Sequence, residues 1–184
     1  MNLEGASVVG LEDLDAEALV LEDRWILSRL NHLTERVTRL FESYQYGEAG
    51  RQIRDFLWDE FCDWYIEATK VRLYDDDTDK ETPRAILITV LEQSLRLLHP
   101  YMPFVTEAIW QAFPDEAKIG EALMMAPWPE MEEARIDAAA ESHMDTVMAV
   151  IREIRAVRSE YHVQAGRRIA VTLAAGAMAP VFEQ

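Results

Sequence analysis

Apolar side chains recur at alternating steps of four and three from Ile26 through Leu30, Leu33, Val37 and Leu40 to Tyr44. That spacing lays one stripe along an α-helix, and with Asp23 as N-cap it predicts a first helix over about 23–44. Tyr46-Gly47 breaks the rhythm and marks a turn. Ile53, Leu57, Phe61, Trp64, Ala68 and Val71 then form a second stripe, which ends before the acidic run Asp75–Glu81, a solvated loop. Pro83 suits the first turn of a third helix, which carries Ile86, Leu87, Val90, Leu91, Leu95 and Leu98. His99-Pro100 interrupts it, and Pro103 opens a fourth helix that runs through Ile109 and Trp110 to Phe113.

Residues 114–135 read as a loop held by Trp128 between Pro127 and Pro129, an aromatic anchor for the bundle. Met144, Val147, Ile151 and Ile154 are in register for a last helix over about 137–161. After Gly166, Ile169–Leu173 alternates enough for one strand, whose partner would have to be Val8–Leu11 or Val181-Phe182. At the start, Met1–Gly5 has the look of a helix end stopped by glycine, and residues 6–20 of an acidic loop. The pattern predicts an all-α, antiparallel helical bundle with a short C-terminal helix–strand appendage. Its parts are 1–22, a truncated helix end and loop; 23–135, the bundle; and 136–184, a junction helix and strand.

Composition agrees with long helices. The 184 residues are 49% hydrophobic with only seven glycines and seven prolines, so pervasive disorder and a turn-rich β fold are both disfavoured. The net charge of −16 excludes bulk electrostatic attraction to a polyanion. Yet the charge is uneven. Residues 1–23 hold acids and no Lys or Arg, whereas 24–72 balance eight cations against eight acids. An RNA surface would therefore have to come from clustered arginines. Cys62 is the only cysteine, which excludes an internal disulfide and a cysteine-based zinc site and fits a reducing, cytoplasmic setting. No signal peptide and no apolar run long enough to span a membrane is visible.

At about 100° per residue, Arg29, His32, Arg36 and Arg39 share one flank of the first helix. Such a flank can meet phosphates or pair bidentately with base edges; the plain alternative is a solvated helix face. On the second helix Arg51, Arg54, Trp58, Tyr65 and Arg72 share a flank, with Asp55, Asp59 and Asp63 on another. Aromatics interleaved with arginine suit unstacked bases, though Trp58 and Tyr65 fit better as packing against a neighbour. Tyr46, at the turn, either stacks on a base or staples the next helix. Arg152, Arg155 and Arg158, followed by Arg167-Arg168, could touch an RNA arm or form internal pairs.

Catalysis finds no support. Asp59, Glu60, Asp63 and Glu67 have no histidine at ligand spacing, and the four histidines are scattered. Asp75–Asp79 lacks the central glycine and distal glutamate of an EF-hand. No basic neighbour activates Cys62, and no glycine-rich phosphate loop occurs.

The wording FLWDEFCDWYIEATKVRLY at Phe56–Tyr74, LRLLHPYMPFVTEAIWQAFP at Leu95–Pro114 and MMAPWPE at Met124–Glu130 resembles the valyl-tRNA synthetases, in their anticodon-binding helical domain. DRWILSRLN and the junction IREIRAVRSEYHVQAGRRI extend the likeness over Asp23–Leu173. Ala108 and Gln164-Ala165 depart from it, standing where glutamate and proline are common. Isoleucyl and leucyl relatives share the bundle, but FCDWYIE and LLHPYMPF are closer to the valyl wording. The resemblance implies recognition of the anticodon stem-loop of tRNA(Val), with Arg29, Arg36, Arg39, Tyr46, Arg51 and Arg54 as candidate contacts and Arg29, Arg36 and Arg54 leading. The HIGH and KMSKS signatures of class I synthetases are absent. ATP, Mg and valine activation are thus expected of a catalytic domain elsewhere in the same polypeptide, with no cofactor or metal in this chain. A shortened bundle is also expected to self-associate. A helical protein-interaction module without an RNA role is the competing class.

Overall fold

The computed structural model describes Leu14 and residues 19–118, 120–164 and 166–182. Six α-helices carry it: α1 (Leu21–Glu42), α2 (Tyr46–Asp55), α3 (Ile66–Tyr74), α4 (Glu81–Leu98), α5 (Pro103–Gln111) and α6 (Ala138–Glu160). A π-helical segment, Phe56–Tyr65, joins α2 to α3 in one continuous rod. Short 3₁₀ turns occupy Asp115–Ala117, Leu123–Met125, Glu133–Arg135 and Gly176–Val181.

α1 is the central rod, and α2, the π segment, α4 and α6 all pack on it. Its stripe predicts this, since Ile26, Leu30, Leu33 and Val37 are buried. Trp25 and Leu27 are buried too, so α1 has neighbours on more than one side. The pairs Arg36 with Gln52, Arg29 with Glu60 and Asp23 with Arg72 descend one helix as they climb the other, which makes α1 and the α2–α3 rod antiparallel. Ile86, Leu87, Val90 and Leu97 of α4 and Met144 and Met148 of α6 complete the same core. A smaller cluster of Leu95, Trp110, Phe113 and Leu123 fixes α5 and the loop after it. Trp128 serves as the expected anchor: its indole donates to Thr38 Oγ1 at 2.8 Å and its ring lies 5.2 Å from that of Phe41.

Four expectations need correction. α1 begins at Leu21, with Val20 at the cap; Asp23 is a fully buried first-turn residue bound by Tyr65 and Arg72 rather than an N-cap. The turn after α1 is Ser43–Gln45, not Tyr46-Gly47. Tyr44 itself takes the left-handed conformation, φ 60°, and closes the helix with bonds from Gln45 N to Leu40 O and Tyr44 N to Phe41 O.

The third correction concerns the π winding. Buried residues in this rod step from Ile53 to Phe56, then five places to Phe61, then to Tyr65 and Thr69. The wider turn takes up an extra residue and rotates everything after it relative to a 3.6-residue wheel. Tyr65 is therefore wholly buried, whereas Trp58 is 69% exposed and Val71 is solvent-facing. Tyr65 and Arg72 share a side, both reaching Asp23 of α1, and Tyr65 packs on that neighbour as expected, whereas Trp58 lies on another, solvent-facing side.

Lastly, Ile169–Leu173 forms no strand, and none occurs among the described residues. A strand needs a partner's ladder. Val181-Phe182 instead sits at the end of a 3₁₀ turn against the core, and Val8–Leu11 lies outside the described residues, as does the expected helix end at Met1–Gly5. α6 itself packs on the bundle through Ala140, Met144 and Met148.

Candidate nucleic-acid interface

Between α1 and α2 lies a polar cleft of about 140 Å³ lined by Arg29, His32, Arg36, Arg51, Gln52 and Glu60, with Leu33 and Phe56 at its floor. The helical repeat places His32 and Arg36 one turn apart on α1, and antiparallel pairing brings Arg51 and Gln52 opposite them. Of the candidate contacts, the fold gathers Arg29, Arg36 and Arg51 here. Arg39, Arg54 and Tyr46 lie outside the cleft.

These guanidinium groups are not equally available. Arg29 is gripped by Glu60 through two bonds of 2.7 and 2.8 Å and reaches Glu141 of α6 at 3.3 Å. The Glu60 hydrogen bond outweighs the opposing effect of burial and raises the Arg29 pKa above its ordinary value. Glu141 also accepts from Ser28 and lies 3.2 Å from His32 Nε2, so one carboxylate of the last helix joins three α1 side chains. Arg51 is pinned between Glu48 and Asp55, Arg54 meets Asp55, and Arg39 meets Glu35 at 3.0 Å.

Arg36 differs. Its bond is to the Gln52 amide oxygen at 3.3 Å, and among the described residues no carboxylate oxygen lies within 4 Å of it. It is the cleft arginine without a direct carboxylate contact among the described residues, although the Glu48 charge reaches it through space. The exposed pairs of Arg39, Arg51 and Arg54 are screened by solvent and weak, so a phosphate could draw those arginines away. Arg29, partly buried and bidentate, is held as part of the bundle.

Tyr46 packs edge-on against Phe41 at 5.3 Å, and its carbonyl accepts from Tyr101 Oη at 2.6 Å. It thus staples the α1–α2 turn while leaving part of its ring outside. Tyr44, beside it, is more exposed still. The close approach of Tyr101 explains a glycine: a Cβ on Gly50 would stand 3.1 Å from the Tyr101 ring.

On α6, Arg152 and Arg155 both lie over the Trp64 ring, 5.4 and 5.3 Å from its centre. Arg158 instead donates to the carbonyls of Gln164 and Arg167 and fastens the chain leaving α6. Sequence reasoning missed Gln52, Glu60 and Glu141. A glutamine i+4 from Glu48 beside two arginines was the readable signal for Gln52. Glu60 and Glu141 gave none, because each acts on a helix distant in sequence. Cys62 is exposed as a residue, but partial desolvation of its thiol, with the Asp63 carboxylate beside it, raises its pKa, against nucleophile chemistry. No helix among the described residues is long and apolar enough to cross a membrane.

Residues 23–173 match the anticodon-binding domain of tRNA ligases. The chain is 47% identical over 173 residues to the valine–tRNA ligase of Carboxydothermus hydrogenoformans, covering 94% of this chain and 19% of that protein. It is 47% identical over 174 residues to that of Dehalococcoides mccartyi, covering 93% and 20%. Against the Bacillus licheniformis enzyme it is 46% identical over 170 residues, covering 92% and 19%. It spans about a fifth of the length of these relatives. An all-helical bundle, an arginine-lined cleft and a family match over most of the chain agree: the chain belongs to the anticodon-binding domain family of tRNA ligases.

Proposed function

We propose that this chain is the tRNA-selecting part of a valine–tRNA ligase and binds the anticodon stem-loop of tRNA(Val). Valine activation with ATP and Mg falls to the rest of that polypeptide, in a cytoplasmic enzyme. The observation that carries the reading at the level of residues is Arg36, a cleft cation without a carboxylate within 4 Å among the described residues, beside the Gln52 amide. A guanidinium next to an amide offers donors for a phosphate or a base edge together with an acceptor for an exocyclic amine. Arg51, Arg39 and Arg54 would add phosphate contacts by exchanging intramolecular partners, while Arg29 holds the cleft wall in place. Tyr46 offers the exposed part of its ring for stacking.

The test is Arg36→Ala in the full-length ligase. One good contact on the nucleic-acid scale is worth about 1–3 kcal/mol, so KM for tRNA(Val) should rise roughly tenfold, by the relation of 1.4 kcal/mol per tenfold. Valine-dependent ATP–pyrophosphate exchange should be unchanged. Equal loss in both assays, or in neither, defeats the assignment of this cleft.

A further inference from the structure

α5 turns one side to the core and leaves the other bare. Thr106, Trp110 and, just past its end, Phe113 are buried. Wound at about 100° per residue, Phe104, Val105, Ala108, Ile109 and Ala112 cover an arc of about 140° on the opposite side, and all five are exposed. Phe104 is 91% exposed, the most of any large apolar residue described. Met102 precedes this face and is half exposed, and Met124 and Met125, in the 3₁₀ turn packed along α5, are exposed as well. That turn is bound to the helix by Glu107, which accepts from Leu123 N at 2.9 Å, and by Gln111, which donates to Glu121 O at 2.8 Å. The surface is thus a built one, apolar and flexible in side-chain type, and a patch of this kind marks an interface.

Its charge says what kind of partner fits. Between Arg96 and Arg135 the only Lys or Arg is Lys118, and Lys118 is tied to Asp115 at 2.7 Å. The same stretch holds seven acids, among them Glu107, Asp115, Glu116 and Glu121 beside α5 in sequence. A polyanion would be repelled, and two copies of this face would bring acid against acid. What complements it is an apolar patch ringed with lysine or arginine. We infer that the α5 face, centred on Phe104, docks such a basic-rimmed apolar surface on another domain of the same ligase polypeptide. A domain of the same polypeptide meets this face at high effective concentration, and about four-fifths of the relatives' length lies outside the chain. The inference rests on the ligase reading of the preceding subsection.

The test is hydroxyl-radical footprinting of the full-length ligase, free of tRNA, at several protein concentrations. Tyr74, at 82% exposure on the α2–α3 rod, is the internal reference. Phe104, Met124 and Met125 should react at least fivefold more slowly, relative to Tyr74, than their exposure here implies. Phe104→Asp should abolish the protection of both methionines while the circular dichroism of the enzyme is unchanged. Full reactivity of Phe104 in the free enzyme overturns the inference. Protection that appears only on adding tRNA assigns the face to RNA, protection that grows with enzyme concentration assigns it to a second copy, and either overturns it. The ligase reading is judged separately, by valine-dependent pyrophosphate exchange and by binding of an anticodon stem-loop in the same preparation.

Discussion

Arg72 of α3 closes two hydrogen bonds on the carboxylate of Asp23, one of 2.8 Å, and that carboxylate is wholly buried in the first turn of α1. Tyr65 Oη donates to the same group at 2.8 Å, and Glu22 lies 3.6 Å from the guanidinium. Two helices far apart in sequence are thereby locked end to end. Removing one partner of a buried pair strands the other, at a cost of roughly 3–5 kcal/mol. Asp23→Asn should therefore lower stability by about that much in urea unfolding. Tyr65→Phe, which leaves the ion pair intact, should cost only about 1 kcal/mol. An Asp23→Leu, Arg72→Leu double variant should be less damaged than the sum of its parts. An Asp23→Asn protein within 1 kcal/mol of the parent would show that the pair orients the helices without stabilising them.

Asp23 also shows where sequence reading stops. Acidic residues near a helix start are ordinarily caps or dipole partners, and nothing in the local pattern says that Arg72 will arrive opposite. The stripes of α1, α4 and α6 were legible, because 3.6-residue periodicity reports burial along a regular helix. The second stripe was legible at Ile53 and Phe61, with Leu57 and Trp64 packed at the edge of the core, and Tyr65 packs inward as expected; Phe56 was missed, and Trp58 and Val71 face solvent, because a π turn obeys a different period. For the cleft, the cations could be found from their spacing. Which of them is held by a direct carboxylate contact could not, because Glu60 and Glu141, which grip Arg29, come from elsewhere in the fold.

Glu92 is buried in α4 and is bonded through one oxygen to Arg96 at 2.7 Å. Burial raises its pKa, and Arg96 together with the Trp110 indole offsets this only in part. A carboxyl that holds its proton more tightly when folded favours the native state below its ordinary value near 4.5 and loses that contribution as pH rises through the higher native value. The stability of the native protein relative to Glu92→Gln should therefore grow as pH is lowered from 8 towards 4.5. Urea midpoints of both proteins across that range measure it. A difference that is flat, or that shrinks on acidification, contradicts the burial account.

At the mouth of the cleft, Glu48 accepts from both Arg51 and Gln52. The Arg51 hydrogen bond is the largest cause and Gln52 the next, and together they lower the Glu48 pKa to about 2. A carboxyl shifted this way stabilises the fold above its ordinary pKa and loses the contribution as pH falls through the native value. Carbon-13 NMR titration of the Glu48 carboxyl should give a midpoint near 2. Arg51→Ala should move it upward towards the ordinary glutamate value. A midpoint that ignores the substitution would mean Arg51 spends its time elsewhere, free to meet a phosphate without first leaving Glu48.

Tyr44 ends α1 in a conformation that costs an L-residue with a Cβ about 1–2 kcal/mol, φ 60°, with its ring largely in solvent. His162 repeats the arrangement after α6 at φ 51°, where Val163 N bonds Arg158 O and His162 N bonds Ser159 O. Glycine bears no such penalty at this position of a helix end, so Tyr44→Gly and His162→Gly should each raise stability by about 1 kcal/mol in chemical unfolding. The two sites differ in what the side chain touches. Tyr44 stands edge-on to Tyr46 with ring centres 6.2 Å apart, beside the cleft-forming turn. If the strain is retained because the ring serves the bound RNA, Tyr44→Gly should stabilise the protein and weaken stem-loop binding in the same sample. His162→Gly should stabilise it and leave binding alone. Destabilisation at Tyr44 alone would show that its ring contact with Tyr46 outweighs the backbone strain and that the aromatic tip is structural.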